Sequence, residues 1–319
     1  MMFMAFQNIQ LFFSNLILRN FYKVIYKYSH PKAFKHNRRY WPYYQVTRNT
    51  QGGIDQVYFK NQLIADNSSI PLSELKKAML VMTGPSIKEY PSDIFSKDGV
   101  DYIGTNGSIS LPNIKFKYYV IIDHNFTNNR FDLVSKVLRS DCVLFTTPRC
   151  LDIILRKIRP DQIKCQVKVI ETITEGKIER FLGSRITVNT EQEYFYLHDG
   201  KGFSQHIENA VFDYFTVAYV ALQITYALSY DEIYLAGLDM SNFNQPRFYE
   251  DTQTKQPTML DQYLSDIFPA FHTASHFLKM KNIKVYNLSE QSAVESFTKV
   301  DPNHIWSDSK INASSDSNN

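Results

Sequence analysis

Four short stretches of this chain combine residue types able to do chemistry on an activated small molecule. In Thr83-Gly84-Pro85-Ser86, the glycine lets the backbone approach a ligand, and Thr83 and Ser86 offer hydroxyls. Free amides at a following helix start would complete a cradle for phosphate, although a Gly-Pro-Ser turn serves equally well as a plain helix start. Asn106, Gly107 and Ser108 follow Thr105; the Asn106 amide pairs a donor with an acceptor, as reading a base or ribose edge requires. An Asn-Gly turn is just as common a structural role. Asp123-His124-Asn125 sets a carboxylate, an imidazole and an amide side by side, a plausible polar site. Asp239 closes Gly237-Leu238-Asp239. Each stretch ends an apolar run, and four such ends along one sheet edge favour one shared site over four separate turns.

Missing motifs narrow the chemistry. The chain has no Gly-x-Gly-x-x-Gly and no Walker lysine, which disfavours a dinucleotide cofactor and ATP hydrolysis. No Asp-x-Asp pair or close histidine spacing marks a metal site; Asp123 and Asp239 sharing an ion is the lesser alternative, so no metal and no cofactor are expected. Cys142, Cys150 and Cys165 are too few and too irregular for a disulfide framework or a zinc cluster, and read as buried thiols in a reducing compartment. The 8 histidines do not cluster in sequence and read mostly as surface residues.

The elements that must position these residues follow a strand, loop, helix rhythm. Apolar runs at Ala78–Met82, Tyr102–Gly104, Tyr118–Ile122, Cys142–Thr146, Val167–Ile170, Glu232–Ala236 and Ile283–Tyr286 have the length and β-branched or aromatic content of buried parallel strands. Helices are expected over Val211–Ser229, with Phe215 among its core-facing residues, and over Leu260–Lys281. The expectation is an α/β, Rossmann-like, mostly parallel twisted sheet of about seven strands with helices on both faces. A hairpin turning at Lys60-Asn61 precedes the sheet, and the polar residues Asn312–Asn319 are expected to form a disordered tail. The division is 1–50 as an N-terminal segment, 51–77 as hairpin and linker, 78–305 as the main domain, and 306–319 as the tail.

Charge is lopsided. Met1 to Ile54 holds eight of the 35 basic residues and no Asp or Glu, leaving 27 basic against 32 acidic residues in the remainder. Phe6, Ile9, Phe13, Leu16, Ile17, Asn20, Val24 and Tyr28 would run along one side of a helix, and Lys32 to Tyr44 then alternates cations with aromatics. Polar interruptions argue against a spanning helix, and the flanks do not fit a signal peptide. The pairing suits a helix lying on an anionic membrane surface; an ordinary packed helix or a grip on single-stranded nucleic acid are the alternatives.

Thr83–Ser86, Thr105–Ser108 and the block Tyr219–Asp239 resemble bacterial CMP-sialic-acid-dependent sialyltransferases of the lipooligosaccharide type. Thr105–Ser108, Ile122-Asp123, Gly202-Phe203, Arg247-Phe248-Tyr249 and Ile283–Ser289 are similar to the lipopolysaccharide core transferases that add a third 3-deoxy-D-manno-octulosonic acid (Kdo) residue. The likeness spans about Ala78 to Ser289 and implies a metal-independent glycosyltransferase that holds the CMP phosphate and ribose at Gly84, Ser86, Asn106 and Ser108. It also implies a loop closing over the donor, here with Phe248 and Tyr249. Where the sialyltransferases carry a histidine base, this chain places Asp266, with His272 nearby, so Asp123, His124, Asp266 and His272 are all candidate bases. Arg247 is the candidate for the sugar carboxylate, or else forms a surface ion pair. The implied reaction moves Kdo, or a related 2-keto acid sugar, from its CMP conjugate to a lipid-anchored core oligosaccharide at the cytoplasmic face of the inner membrane. A sialyltransferase acting on terminal galactose and an inactive nucleotide-sugar-binding scaffold are the rivals; nucleic acid is not an expected partner, and a homo-oligomer is open.

Overall fold

Helix α1 (Leu16–Ser29) opens the described chain, which in this computed structural model comprises residues 16–305 apart from 190 and 242. The whole of the proposed tail, 306–319, and the first fifteen residues of the N-terminal segment, with Phe6, Ile9 and Phe13 of its apolar stripe, thus lie outside the described residues. The 3-10 segment Lys32–Arg39 leads into an antiparallel meander of β1 (Tyr44–Arg48), β2 (Ile54–Phe59) and β3 (Gln62–Asp66). Lys60 and Asn61 turn the β2–β3 hairpin at φ of 51° and 64°, the left-handed pair that a two-residue hairpin loop demands.

The main sheet begins with β4 (Lys77–Val81), β5 (Val100–Thr105), β6 (Phe116–Ile121), β7 (Val143–Thr146) and β8 (Gln166–Val169). Between β4 and β8 run α2 (His124–Asn129), α3 (Phe131–Leu138) and α4 (Pro148–Lys157). Small pieces follow: β9 (Thr172–Thr174), β10 (Lys177–Glu179), β11 (Arg185–Thr187), β12 (Phe195–His198), β13 (Lys201–Ser204) and β14 (Val211–Phe212). The chain then re-enters the main sheet through α5 (Val217–Ala227), β15 (Glu232–Ala236), α6 (Leu264–Met280), β16 (Lys284–Asn287) and β17 (Thr298–Lys299).

The order across the sheet is β17-β16-β15-β4-β5-β6-β7-β8, and every neighbouring pair is parallel. Seven strands coincide with the seven apolar runs, and β17 adds a short eighth at the edge. Their continuous apolar character has a direct cause: Ala78 to Val81 are fully buried because the sheet is covered on both faces. One core packs α5 and α6 on one face through Tyr219, Leu222, Ile267 and Phe277. The other sets Leu133, Val134, Leu151 and Ile154 of α3 and α4 against the opposite face. At the β8 edge Asn67 bonds Val169 through both its amide oxygen (3.0 Å) and its nitrogen (2.7 Å), capping groups that would otherwise invite strand addition.

Two expectations need correction. The helix expected from Val211 begins at Val217, because Val211 and Phe212 pair with β9 as a strand. Phe215 sits at φ 60° with its ring exposed instead of facing the core, and Thr216 caps α5 by accepting from the Ala218 amide.

Candidate active site

Strand β4 starts the sheet at its middle; the chain builds outward to β8 on one side, then returns to lay β15 on the other. The topology therefore reverses between β4 and β15, where the divergent loops beyond their carboxyl ends leave a crevice. A cleft of about 400 Å³ opens there, lined from β4 by Thr83, Gly84 and Pro85, from β5 by Asn106, from β6 by Asp123, His124 and Asn125, and from β15 by Asp239. All four polar strand ends thus converge on one site.

The two central loops are locked to each other. Asp239 accepts from the Ser86 amide (2.9 Å) and the Ser86 hydroxyl (2.6 Å), and the Gly84 amide donates to the Gly237 carbonyl at 3.1 Å. Ser86 Oγ also lies 2.9 Å from Ser289 Oγ. In this arrangement the Ser86 hydroxyl proton is committed to a carboxylate, and Ser86 holds the loop that Gly84 presents. Gly84 is needed for space: a Cβ there would stand 2.3 Å from Asp239 Oδ2.

The next loop divides its labour in the same way. Ser108 is fully buried, with its Oγ accepting from the Thr105 amide and contacting Tyr119 Oη, both at 2.9 Å. Gly107 lies flat beneath the Tyr249 ring, which a Cβ would meet at 2.1 Å. Asn106, at φ 43°, lines the cleft and keeps its Oδ1 buried without a hydrogen-bond partner. Ser108 and Gly107 shape the loop, and Asn106 faces the ligand space.

Asp123 caps α2 by accepting from the Asn125 (2.7 Å) and Phe126 (3.2 Å) amides. Burial, and then the charge of Arg149, push the His124 imidazole below its ordinary value, so it stays neutral to lower pH than a free histidine. From the following loop, Arg247 donates to buried Glu250 at 2.9 Å and to the Gln256 carbonyl at 3.3 Å while still lining the cleft. The ion-pair reading of Arg247 thus holds, with buried Glu250 as the partner, and the pair fixes the guanidinium at the cleft wall. The Phe248 amide reaches the Thr83 carbonyl at 3.4 Å, and Phe248 and Tyr249 pack behind the cleft wall.

Two candidate bases stand elsewhere. Asp266 pairs with Lys201 at 2.5 Å and does not line the cleft. His272 is exposed on α6 beside His198, their rings 5.8 Å apart; with Asp199 these form a trio whose ligand atoms lie within 4.8 Å of one another. That trio lies outside the cleft lining, and among the described residues neither Asp123 nor Asp239 belongs to such a group.

The cleft also gathers residues that no motif marked. Lys255 brings a cation, tied to the Asn244 carbonyl at 2.9 Å, and Phe215 stacks on Tyr263 at 3.7 Å as an aromatic wall. Asp213, just past β14, lines the cleft with its Oδ1 buried and unpartnered. Burial raises its carboxyl to about 6, with Asp123 adding to the rise and the Phe215 amide opposing it. The sequence around Asp213 reads as helix, so no local signal marks its place just past a strand.

Comparison with known proteins adds lineage to this geometry. Residues 198–300 match the family model of the 3-deoxy-D-manno-octulosonic acid transferase WaaZ. A probable 3-deoxy-manno-octulosonic acid transferase of Salmonella typhimurium is 32% identical over 254 residues, covering 73% of this chain and 87% of that protein. A protein of the same description from Escherichia coli K12 is 33% identical over 93 residues, or 29% and 32% of the two chains. Among solved structures, the Campylobacter jejuni sialyltransferase CstII aligns over 72% of this chain and 87% of its own, at 16% identity and a TM-score of 0.41. The monofunctional α-2,3-sialyltransferase Cst-I of the same organism aligns over 73% and 83%, at 12% identity and 0.40. On the extent and identity of the Salmonella match, the chain is a glycosyltransferase belonging to the 3-deoxy-D-manno-octulosonic acid transferase family.

Proposed function

We propose that this protein transfers Kdo from a CMP-activated donor to the core oligosaccharide of a lipid-anchored acceptor, with the switch-point cleft as the donor site. The observation that carries the reading is the composition of that cleft in a chain of this family: a close-approach glycine loop at Gly84, an unsatisfied amide acceptor at Asn106, and cations at Arg247 and Lys255. A 2-keto acid sugar offers a carboxylate to the Arg247 fork, and CMP offers a phosphate to Lys255, with the base or ribose edge left for Asn106. No further cofactor enters this reading; the nucleotide sugar is the co-substrate.

The acceptor's lipid places the work at a membrane surface. No described helix is long and apolar enough to cross a membrane. Helix α1 instead turns Phe21, Val24, Ile25 and Tyr28 outward, and the cations Lys27, Lys32 and Arg38 close by are also exposed. In this reading α1 rests on the anionic cytoplasmic face of the inner membrane.

The test is incubation of the purified full chain with CMP-Kdo or CMP-sialic acid, each generated in situ, and truncated core acceptors, with CMP release and acceptor mass as readouts. Transfer of Kdo is expected. Transfer of sialic acid alone would replace the donor assignment, and no CMP release with either would leave a nucleotide-sugar-binding scaffold.

A further inference from the structure

Of the acidic groups around the cleft, one is held in a way its neighbours are not. Asp123 spends its carboxylate on two helix amides, Asp239 on Ser86, Glu250 on Arg247, and Asp266 on Lys201 away from the cleft. Asp213 accepts from the Phe215 amide, pairs with no cation among the described residues, and keeps its Oδ1 buried without a hydrogen bond although the residue lines the ligand space. A buried polar atom left unsatisfied destabilises the fold, and retention of such a group at a cleft wall is typical of a site where chemistry uses it. The backbone around it is equally committed. The Asp213 amide bonds the Ile173 carbonyl at 2.9 Å, Phe215 is forced to φ 60°, and Thr216 starts α5 immediately after.

We propose that Asp213 is the general base of the transfer reaction; the inference rests on the sugar-transfer reading given above. Its carboxylate takes the proton of the acceptor hydroxyl as that oxygen bonds to the anomeric carbon of the donor sugar. The bond from the anomeric carbon to the phosphate oxygen breaks, and its electron pair leaves on CMP. An anionic Asp213 at the cleft wall also favours the positive character that develops at the anomeric carbon. The group is suited to the task because burial, aided by the nearby Asp123 charge, brings its proton affinity toward neutrality. The other titratable residues lining the cleft are His124, Asp239, Glu250, Lys255 and Tyr263, with Arg247 as a fixed charge. His124 lies beyond the Asp123 cap and is pushed the opposite way, to a weaker base.

The experiment uses the full chain with in situ CMP-Kdo and a truncated core acceptor. Asp213→Asn is expected to lower kcat by about 10²–10⁴-fold while the affinity for CMP, measured by titration calorimetry, changes by less than about threefold. The wild-type acid limb near pH 6 should be missing from the residual activity. Asp213→Ala with added formate should recover part of the lost rate, a rescue that a purely structural role would not give. Transfer by Asp213→Asn within about tenfold of wild type, a parallel loss of CMP affinity, or absence of rescue in an Asp213→Ala protein that binds CMP would each overturn the assignment. A wild-type protein that neither binds CMP nor transfers Kdo would instead overturn the donor reading, which separates the two failures.

Discussion

Residues at the cleft divide into those that hold the loops and those left for a ligand. Gly84 belongs to the first group by its lack of a side chain: a methyl group there meets Asp239 and, at 2.6 Å, the Gly237 carbonyl. Gly84→Ala is therefore expected to cost about 1–3 kcal/mol through overpacking and to weaken CMP binding, because loop and carboxylate must part. Thermal melts and CMP titration check this, and unchanged CMP affinity would remove the loop from the donor site. Asp213 belongs to the second group and carries a pH signature. Its folded carboxyl is raised to about 6, above the ordinary value of about 3.9, so the folded state binds its proton more tightly than the unfolded chain does. That contribution to stability is fully present below about pH 3.9 and is lost as pH rises through about 6. Asp213→Asn should accordingly melt at an equal or higher temperature than wild type at neutral pH, with the difference shrinking on acidification.

Helix α1 is an element with one packed and one exposed side. Tyr22 and Tyr26 pack on Trp41 at ring separations of 5.6 and 5.9 Å, while Phe21 and Tyr28 remain 59% and 79% exposed. The following 3-10 segment is pinned to the body by Asn37, which donates to the Gly183 carbonyl at 2.6 Å and accepts from the Leu182 amide at 2.9 Å. The exposed residues at 21, 24, 25 and 28 recur at helical spacing, so they make a stripe and not scattered exposure. If the stripe enters the headgroup region, each large side chain contributes about 1.5–3 kcal/mol on full burial. The triple change Phe21→Ser, Val24→Ser, Tyr28→Ser should then lower partition onto anionic vesicles by about a hundredfold or more in sedimentation assays, with CMP affinity untouched. Undiminished vesicle binding by the triple variant would show that the stripe is not the contact.

At the level of the whole molecule, one buried carboxylate is among the groups that join the N-terminal meander to the main sheet. Glu171, just past β8, accepts from Arg48 of β1 at 2.7 Å, from Arg180 at 2.5 Å and from the Phe181 amide at 2.5 Å. Such a cluster contributes little net stability when whole, yet removing the anion leaves two guanidinium groups without their counter-charge. Glu171→Gln is expected to destabilise the fold by about 3–5 kcal/mol, read from denaturant unfolding. A loss below about 1 kcal/mol would mean that the meander is held by its other contacts, the paired Asn67–Val169 hydrogen bonds among them. Arg180 also donates to the Asn209 carbonyl at 3.0 Å, in the segment that leads to β14, so the cluster bears on where Asp213 stands.

What the amino-acid sequence determined by itself is the sheet and the edge at which chemistry collects. Apolar runs such as Ala78–Met82 and Glu232–Ala236 have the length and composition of strands covered on both faces, and the polar residues that follow them fall along the carboxyl edge of the sheet. The resemblance in the Gly-Pro-Ser, Asn-Gly-Ser and Arg-Phe-Tyr segments pointed to the right family, because backbone approach and loop closure depend on local residue type. The tertiary structure decided the division of labour inside those segments. Ser86 and Ser108 turn their hydroxyls to Asp239 and to the Thr105 amide, pairings set by packing between distant strands or by the loop's own closure. Asp266 and His272 lie along α6 away from the cleft, and Asp213 enters it only because β14 pairs with β9 from nearly forty residues away. Local periodicity encodes an element's buried face; the neighbour of a side chain on that element is fixed by contacts that form only when the whole chain has folded.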